Sequence, residues 1–302
     1  MYDVIYLGPI PLHWLLISLC AIACTLLAAL VGRKRQLPAT AGVLHAVLTA
    51  ALGLFIGRAI YSAVCWYDLF LDAMGKFQGV AAFFDPTIGS VNVMGFVAGL
   101  LLAAPIAARI TKVQTASLLD ASAIPALTMY ILGRAVEPLT GQGYGDFMEQ
   151  EIIVCWLEAA LTALLLIVCI FFVMKKCCKP GTFFQYILTL WCLVQILPES
   201  LRCDEALFVF VFARVTHLGL AVTLGLTLIR LLVKGRRYLS AKAIVLDVLG
   251  LAAGLGLAIG SIFALDKTNW PKPLVYAMMI AALTWLGFVI CRRIRKEDTQ
   301  VC

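Results

Sequence analysis

Apolar residues in this chain come in long, nearly unbroken runs, not in the alternating or one-faced patterns of a water-soluble domain. Nine such runs stand out: Leu12–Val31, Ala41–Trp66, Ile88–Ile110, Ser117–Gly133, Ile152–Met174, Phe183–Leu197, Leu207–Val233, Ala243–Leu265 and Leu274–Cys291. About 20 mainly apolar residues in helical form cross the hydrocarbon core of a bilayer. The pattern therefore predicts nine membrane-spanning helices. The sixth run is short and is expected to end at Pro198. The first is too long for the core of a signal peptide, and no small-residue cleavage site stands out after it, so it reads as a span.

The polar positions between the runs alternate in sign. Arg33, Lys34 and Arg35 follow the first run; Arg109 and Lys112 the third; Lys175, Lys176 and Lys179 the fifth. Lys234, Arg236, Arg237 and Lys242 follow the seventh, and Arg292, Arg293, Arg295 and Lys296 the ninth. The other connections carry acids: Asp68 and Asp72; Glu137, Asp146, Glu149 and Glu151; Asp204 and Glu205; and Asp266, there beside Lys267 and Lys272. Basic loops favour the cytoplasmic side. The alternation supports nine spans independently of hydropathy. It places the N-terminus outside, the C-terminus inside and the connection after the fourth span on the outer face.

Composition agrees. The chain has 302 residues, of which 63% are hydrophobic and 14% charged. Soluble domains lie nearer 45–50% and 25%, so the expected fold is an all-α polytopic membrane bundle. The net charge of +7 follows from topology and gives no indication of nucleic acid. The 11 cysteines fall mostly in apolar runs, where they act as small hydrophobes. Cys177 and Cys178 follow Lys175 and Lys176, as juxtamembrane filler or as a lipidation or metal site. The 3 scattered histidines form no metal constellation, and no cofactor or hydrolase motif occurs. His13 beside Trp14 reads as interfacial, His45 as bonding a neighbouring carbonyl, and Asp247 as pairing with the basic loop before it.

A few charges lie where topology does not require them. Arg134 ends the fourth run and opens a stretch, AVEPLTGQGYGDF, too rich in Gly, Pro and acid for ordinary helix. A guanidinium at a span end suits either a snorkelling helix cap or an anionic phosphate at head-group depth. Arg58 and Tyr61 are one turn apart and share a helix face. Glu158 sits among apolar residues; Arg214 and His217 share a face; Glu199 and Arg202 follow the sixth run. Isolated charges are not kept in lipid, so these groups are expected to face each other or a wet cavity. They either lock the bundle as ion pairs or converge on a substrate phosphate.

In their order and spacing these segments resemble prolipoprotein diacylglyceryl transferases, over roughly residues 7–232. YLGPIPLHW is similar to that family's opening Gly-Pro segment, and IGRAIY, with Arg58 and Tyr61, to its Gly-Ala-Arg-Leu-x-Tyr span. SLLDASAIPA, with Asp120 and Pro125, resembles its Leu-Leu-Asp-x-x-Ala-Pro stretch. GRAVEPLTGQGYG resembles the signature Gly-Arg-x-Gly-Asn-Phe-x-Asn-Gly-Glu-x-x-Gly and aligns Gly133, Arg134, Gly141 and Gly145 with it. WLEAAL aligns Glu158, and VQILPESLRCD aligns Glu199 and Arg202 with an Arg-Phe-x-x-Glu-x-x-Arg-x-x-Asp segment. Departures occur at Leu15 for a Tyr, Met94 for a His, Glu137 and Thr140 for Asn, Gln142 for Glu and Gln195 for Arg. Glu137 or Asn92 would then supply replacement polar chemistry.

The resemblance implies a seven-span core, residues 1–235, followed by two additional spans and a basic tail in residues 236–302. It implies transfer of diacylglyceryl from phosphatidylglycerol to a lipobox cysteine thiol, in a bacterial plasma membrane and without a cofactor or metal. Arg134 and Glu137 would be catalytic. Arg58, Tyr61, Arg134, Gln142, Gly145, Glu199 and Arg202 would hold the anionic phospholipid. The alternative is a catalytically inactive member that binds phospholipid or a membrane partner. A transporter ranks below both, because no inverted repeat or pair of broken helices occurs.

Overall fold

The computed structural model describes residues 6–7, 10–71, 75–77, 79–85, 91–140, 143–147, 150–174, 177, 179–202, 214–235 and 240–299. Two short strands, β1 (Tyr6–Leu7) and β2 (Ile10–Pro11), precede α1 (Leu12–Lys34) and α2 (Ala39–Val64). The short helices α3 (Trp66–Phe70) and α4 (Ala81–Phe84) lead to α5 (Val93–Thr111) and α6 (Thr115–Val136). A 3-10 turn, Glu137–Thr140, and an antiparallel hairpin of β3 (Tyr144–Phe147) and β4 (Gln150–Ile153) come next. They are followed by α7 (Val154–Val168), which ends in a π-helical turn at Cys169–Val173, and by α8 (Thr182–Leu201), α9 (Val215–Gly235), α10 (Ala241–Lys267) and α11 (Lys272–Thr299).

Among the described residues nine helices are long and apolar enough to cross a membrane: α1, α2 and α5 to α11. The protein is an all-α multi-pass membrane bundle, and its outward faces are apolar. On α1, Leu19, Ile22, Leu26 and Leu30 recur every three or four residues and are all exposed. Such a stripe would be an aggregation surface in water and is the ordinary lipid-facing side of a span.

The helix ends differ in places from the runs of apolar sequence. α8 continues through Pro198 to Leu201, so Glu199 is helical and does not lie outside the span. Membrane helices tolerate an internal proline when neighbouring elements hold the turn, and here Arg202 is tied to Glu137 at 2.6 Å. The ninth helix runs to Thr299, which puts Arg292, Arg293, Arg295 and Lys296 on helix. The third begins at Val93, with the Asn92 side chain accepting a bond from Met94 N–H at 2.9 Å. Asn92 is thus a helix cap, which ties its side chain to its own backbone.

The chain groups into two compact units. One comprises Met1–Cys24, Ala123–Asp204 and Leu220–Cys302; the other comprises Thr25–Ser122 and Glu205–Gly219. In the second unit α2 and α5 pack backbone to backbone. Gly53 and Gly57 on α2 face Gly95 and Gly99 on α5, and a Cβ on Gly95 would run into the Gly57 backbone. Two such Gly-x-x-x-Gly faces let helices approach closely in lipid, where burial of apolar area supplies no driving force. His45 is buried here, with Nε2 3.0 Å from the Leu100 carbonyl, as expected, and Nδ1 2.6 Å from Ser122 Oγ.

In the first unit α8 is the central helix: 67% of it is buried, against at most 44% for any other span. It packs against α7 and α11, and α11 against α10. The last two spans, which the sequence sets apart, therefore share a unit with α7 and α8. Asp247 on α10 pairs with Arg293 on α11; Arg236 and Arg237 of the basic loop before it lie outside the described residues.

Candidate functional site

Three helices of the first unit each carry polar residues at helical spacing. On α6 these are Tyr130 and Arg134, four apart, with Glu137 three further on in the 3-10 turn. On α7 they are Cys155, Glu158 and Thr162. On α8 and its cap they are Gln195, Glu199 and Arg202. Steps of three and four put each set on one helix face. The bundle turns these faces together.

Arg134 and Arg202 share two carboxylates. Glu137 Oε2 accepts from Arg134 Nη1, and Glu137 Oε1 accepts from Arg202 Nη2 at 2.6 Å. Deeper in, Arg134 Nε lies 2.6 Å from Glu158 Oε2, and Arg202 Nη1 lies 3.6 Å from Glu158 Oε1. The side chains are 13% exposed at Arg134, 18% at Glu137, 10% at Arg202 and 1% at Glu158. Charges this buried persist only when paired. Two guanidiniums against two carboxylates make these four groups neutral.

Neutral polar groups extend the network. The Tyr130 hydroxyl lies 3.0 Å from Glu158 Oε2 and 2.7 Å from Gln195 Oε1, and it accepts from Arg134 Nε at 3.0 Å. Gln195 Nε2 donates to Thr162 Oγ1 at 2.8 Å, which fixes the orientation of its amide. The Tyr130 ring meets Trp191 edge-on, with centroids 5.2 Å apart, and lies 5.1 Å from the Arg134 guanidinium carbon. Glu199 is buried and lies close enough to Glu158 for their charges to interact.

The hairpin after Arg134 covers this end of α7 and α8. Gly145 forms a bridge with Arg202, and a Cβ there would collide with the Leu201 carbonyl oxygen. Gly143 takes a φ of +90°, and its carbonyl accepts from Cys155 N–H at 3.1 Å. Beyond Val136 the described residues of this stretch form a 3-10 turn and a strand, not ordinary α-helix, as expected, and Gly145 is needed for a close backbone approach.

Arg134, Glu137 and Arg202 are joined directly, with Glu199 in the same unit. Arg58 and Tyr61 belong to the second unit, with the Arg58 guanidinium carbon 5.4 Å from the Tyr61 ring centre. Arg58 donates to the carbonyls of Ala82 at 2.7 Å, Phe83 at 2.9 Å and Asp85 at 3.1 Å. It thereby serves the carbonyl end of α4, which has no intrahelical partners of its own. Gln142 lies outside the described residues.

Tyr130, Thr162 and Cys155 were not singled out from the sequence as part of the site. Their signal was present: Tyr130 is four residues before Arg134, and Thr162 four after Glu158. Apolar surroundings conceal such residues, because a tyrosine or threonine in a span is unremarkable until a charge stands one turn away. The sequence matches no protein-family model and no curated protein.

Proposed function

We propose that the protein is a divergent relative of the prolipoprotein diacylglyceryl transferases, which takes the phosphate of an anionic phospholipid at the Arg134–Arg202 pair. The observation that carries this reading is that two guanidiniums from separate helices share the two oxygens of one carboxylate. Paired guanidiniums bind phosphate oxygens by the same charge-assisted geometry. Loop charge supports a plasma-membrane protein with its N-terminus outside and the arginine pair at the outer leaflet. In the reaction that the resemblance implies, the lipobox thiol sulfur bonds to the diacylglyceryl carbon. The carbon–oxygen bond to phosphate breaks, and the proton goes to the departing glycerol phosphate. The arginines would stabilise that leaving group.

A second reading, lipid binding without turnover, is favoured by a specific feature. Both Glu137 oxygens are held by guanidiniums, which stabilise the carboxylate anion and weaken it as a base for a thiol proton, and Gln195 stands where the family carries an arginine. Purified protein is incubated with phosphatidylglycerol and a lipobox peptide. Enzymatic function gives a lipidated peptide and free glycerol phosphate. Unmodified peptide, with phosphatidylglycerol retained by the wild type and lost at least about tenfold in Arg202→Gln, supports the binding reading. Absence of any lipid dependence overturns both. Arg202→Gln is the suitable variant because it leaves Arg134 on Glu158.

A further inference from the structure

Glu137 and Glu158 are both carboxylates between the same two arginines, but they are placed differently. Glu158 is on the second turn of α7 and is 1% exposed. It is held by Arg134 and Tyr130 as well as by the helix itself. Glu137 is the most exposed member of the cluster, at 18%. It opens a four-residue 3-10 turn at the end of α6. Such turns have poorer hydrogen-bond geometry than an α-helix, and chain ends of this kind open at low free energy.

The geometry of Glu137 is that of a bound anion. One oxygen goes to each guanidinium, Oε1 to Arg202 and Oε2 to Arg134. The two non-bridging oxygens of a phosphodiester would bridge the pair in the same manner. Charge makes the two occupants mutually exclusive. With Glu137 in place the four paired groups are neutral. With Glu137 withdrawn, the two guanidiniums lose the carboxylate between them, and the site, one charge more positive at low dielectric, draws in an anion.

We propose that Glu137 is a built-in counter-anion that closes the Arg134–Arg202 site, and that a phosphodiester binds by replacing it. The inference rests on the reading of this pair as a head-group site, given above. It makes binding an exchange: the incoming phosphate takes over the two guanidinium contacts, and the carboxylate swings out with its 3-10 turn. The ligand chemistry is a phosphate carrying two free oxygens, from a lipid head group or from a soluble phosphate.

The test uses full-length protein in phosphatidylcholine nanodiscs doped with phosphatidylglycerol. Retained lipid is quantified for wild type, Glu137→Gln, Arg202→Gln and the double variant. Glu137→Gln removes the competing charge at nearly constant shape. It is expected to hold phosphatidylglycerol at least about tenfold more tightly than wild type, with the gain absent in the double variant. Inorganic phosphate is added as a competitor. Displacement of the lipid at equal concentration overturns the head-group assignment in favour of free phosphate, and resistance supports it. If Glu137→Gln binds no better than wild type while Arg202→Gln is weakened, the counter-anion role is overturned and the head-group reading stands. If no variant differs from wild type, both are overturned. A measurement on wild type decides should Glu137→Gln fail to fold. Backbone hydrogen exchange over residues 136–140 is expected to speed up when phosphatidylglycerol replaces phosphatidylcholine; unchanged exchange overturns the proposal.

Discussion

Both ends of α8 are held by ion pairs, but by different kinds. At the Arg202 end four ionised groups from three helices and the 3-10 turn interlock, and none has a side chain more than 18% exposed. At the Thr182 end the contacts come from the tail of α11. Asp298 Oδ1 accepts from the Lys179 backbone N–H at 2.8 Å and from Thr182 Oγ1 at 3.1 Å. Glu297 Oε1 accepts from Lys179 Nζ at 2.8 Å and from Lys234 Nζ at 3.3 Å. Here the lysines reach solvent, with side chains 31% and 44% exposed. The ends are about 30 Å apart at 1.5 Å per residue. The acids at the Thr182 end tie a helix start and two flexible lysines together. The acids at the Arg202 end keep two buried cations tolerable. A lysine lost from the first site is replaced by water, whereas a carboxylate lost from the second leaves a charge stranded.

The largest effect should therefore come from Glu158→Ala. It leaves two buried guanidiniums to share Glu137, and removal of one partner of a buried pair costs about 3–5 kcal/mol. Thermal unfolding of the purified protein in micelles would show it as a large fall in Tm. A fall no greater than that of a surface variant would mean that water already reaches the cluster. Asp298→Ala removes the acceptor at the start of α8 and is expected to cost about 1 kcal/mol, in the range of lost helix caps. Lys234→Ala should change stability by less than about 0.5 kcal/mol, because an exposed pair is worth little. If Lys234→Ala approached Glu158→Ala in effect, the contrast between the two ends would collapse.

Much of the architecture was legible in the chain. Hydropathy and the sign of the loops each pointed to nine spans, because a bilayer imposes length and polarity on every segment separately. The Gly-rich, acidic stretch after Arg134 was legible as non-helical, and Arg134 itself as a charge needing a partner. One local reading failed. Pro198 was expected to end the sixth span, but α8 continues to Leu201, and Arg202 just beyond it is tied to Glu137. Asp247 finds a partner that local sequence did not name, Arg293 on α11.

What the sequence determined on its own is the inventory: nine spans and a few ionised groups that lipid would not tolerate alone. What only the tertiary structure decided is who neutralises whom. Arg134 is held by Glu137, three residues away, and also by Glu158 on another helix, while Arg202 joins the same two acids. Arg58 instead serves the carbonyl end of α4. The physical reason is that pairing between helices depends on their rotation and register. Those are set by how closely backbones and side chains pack, and no single span carries that information.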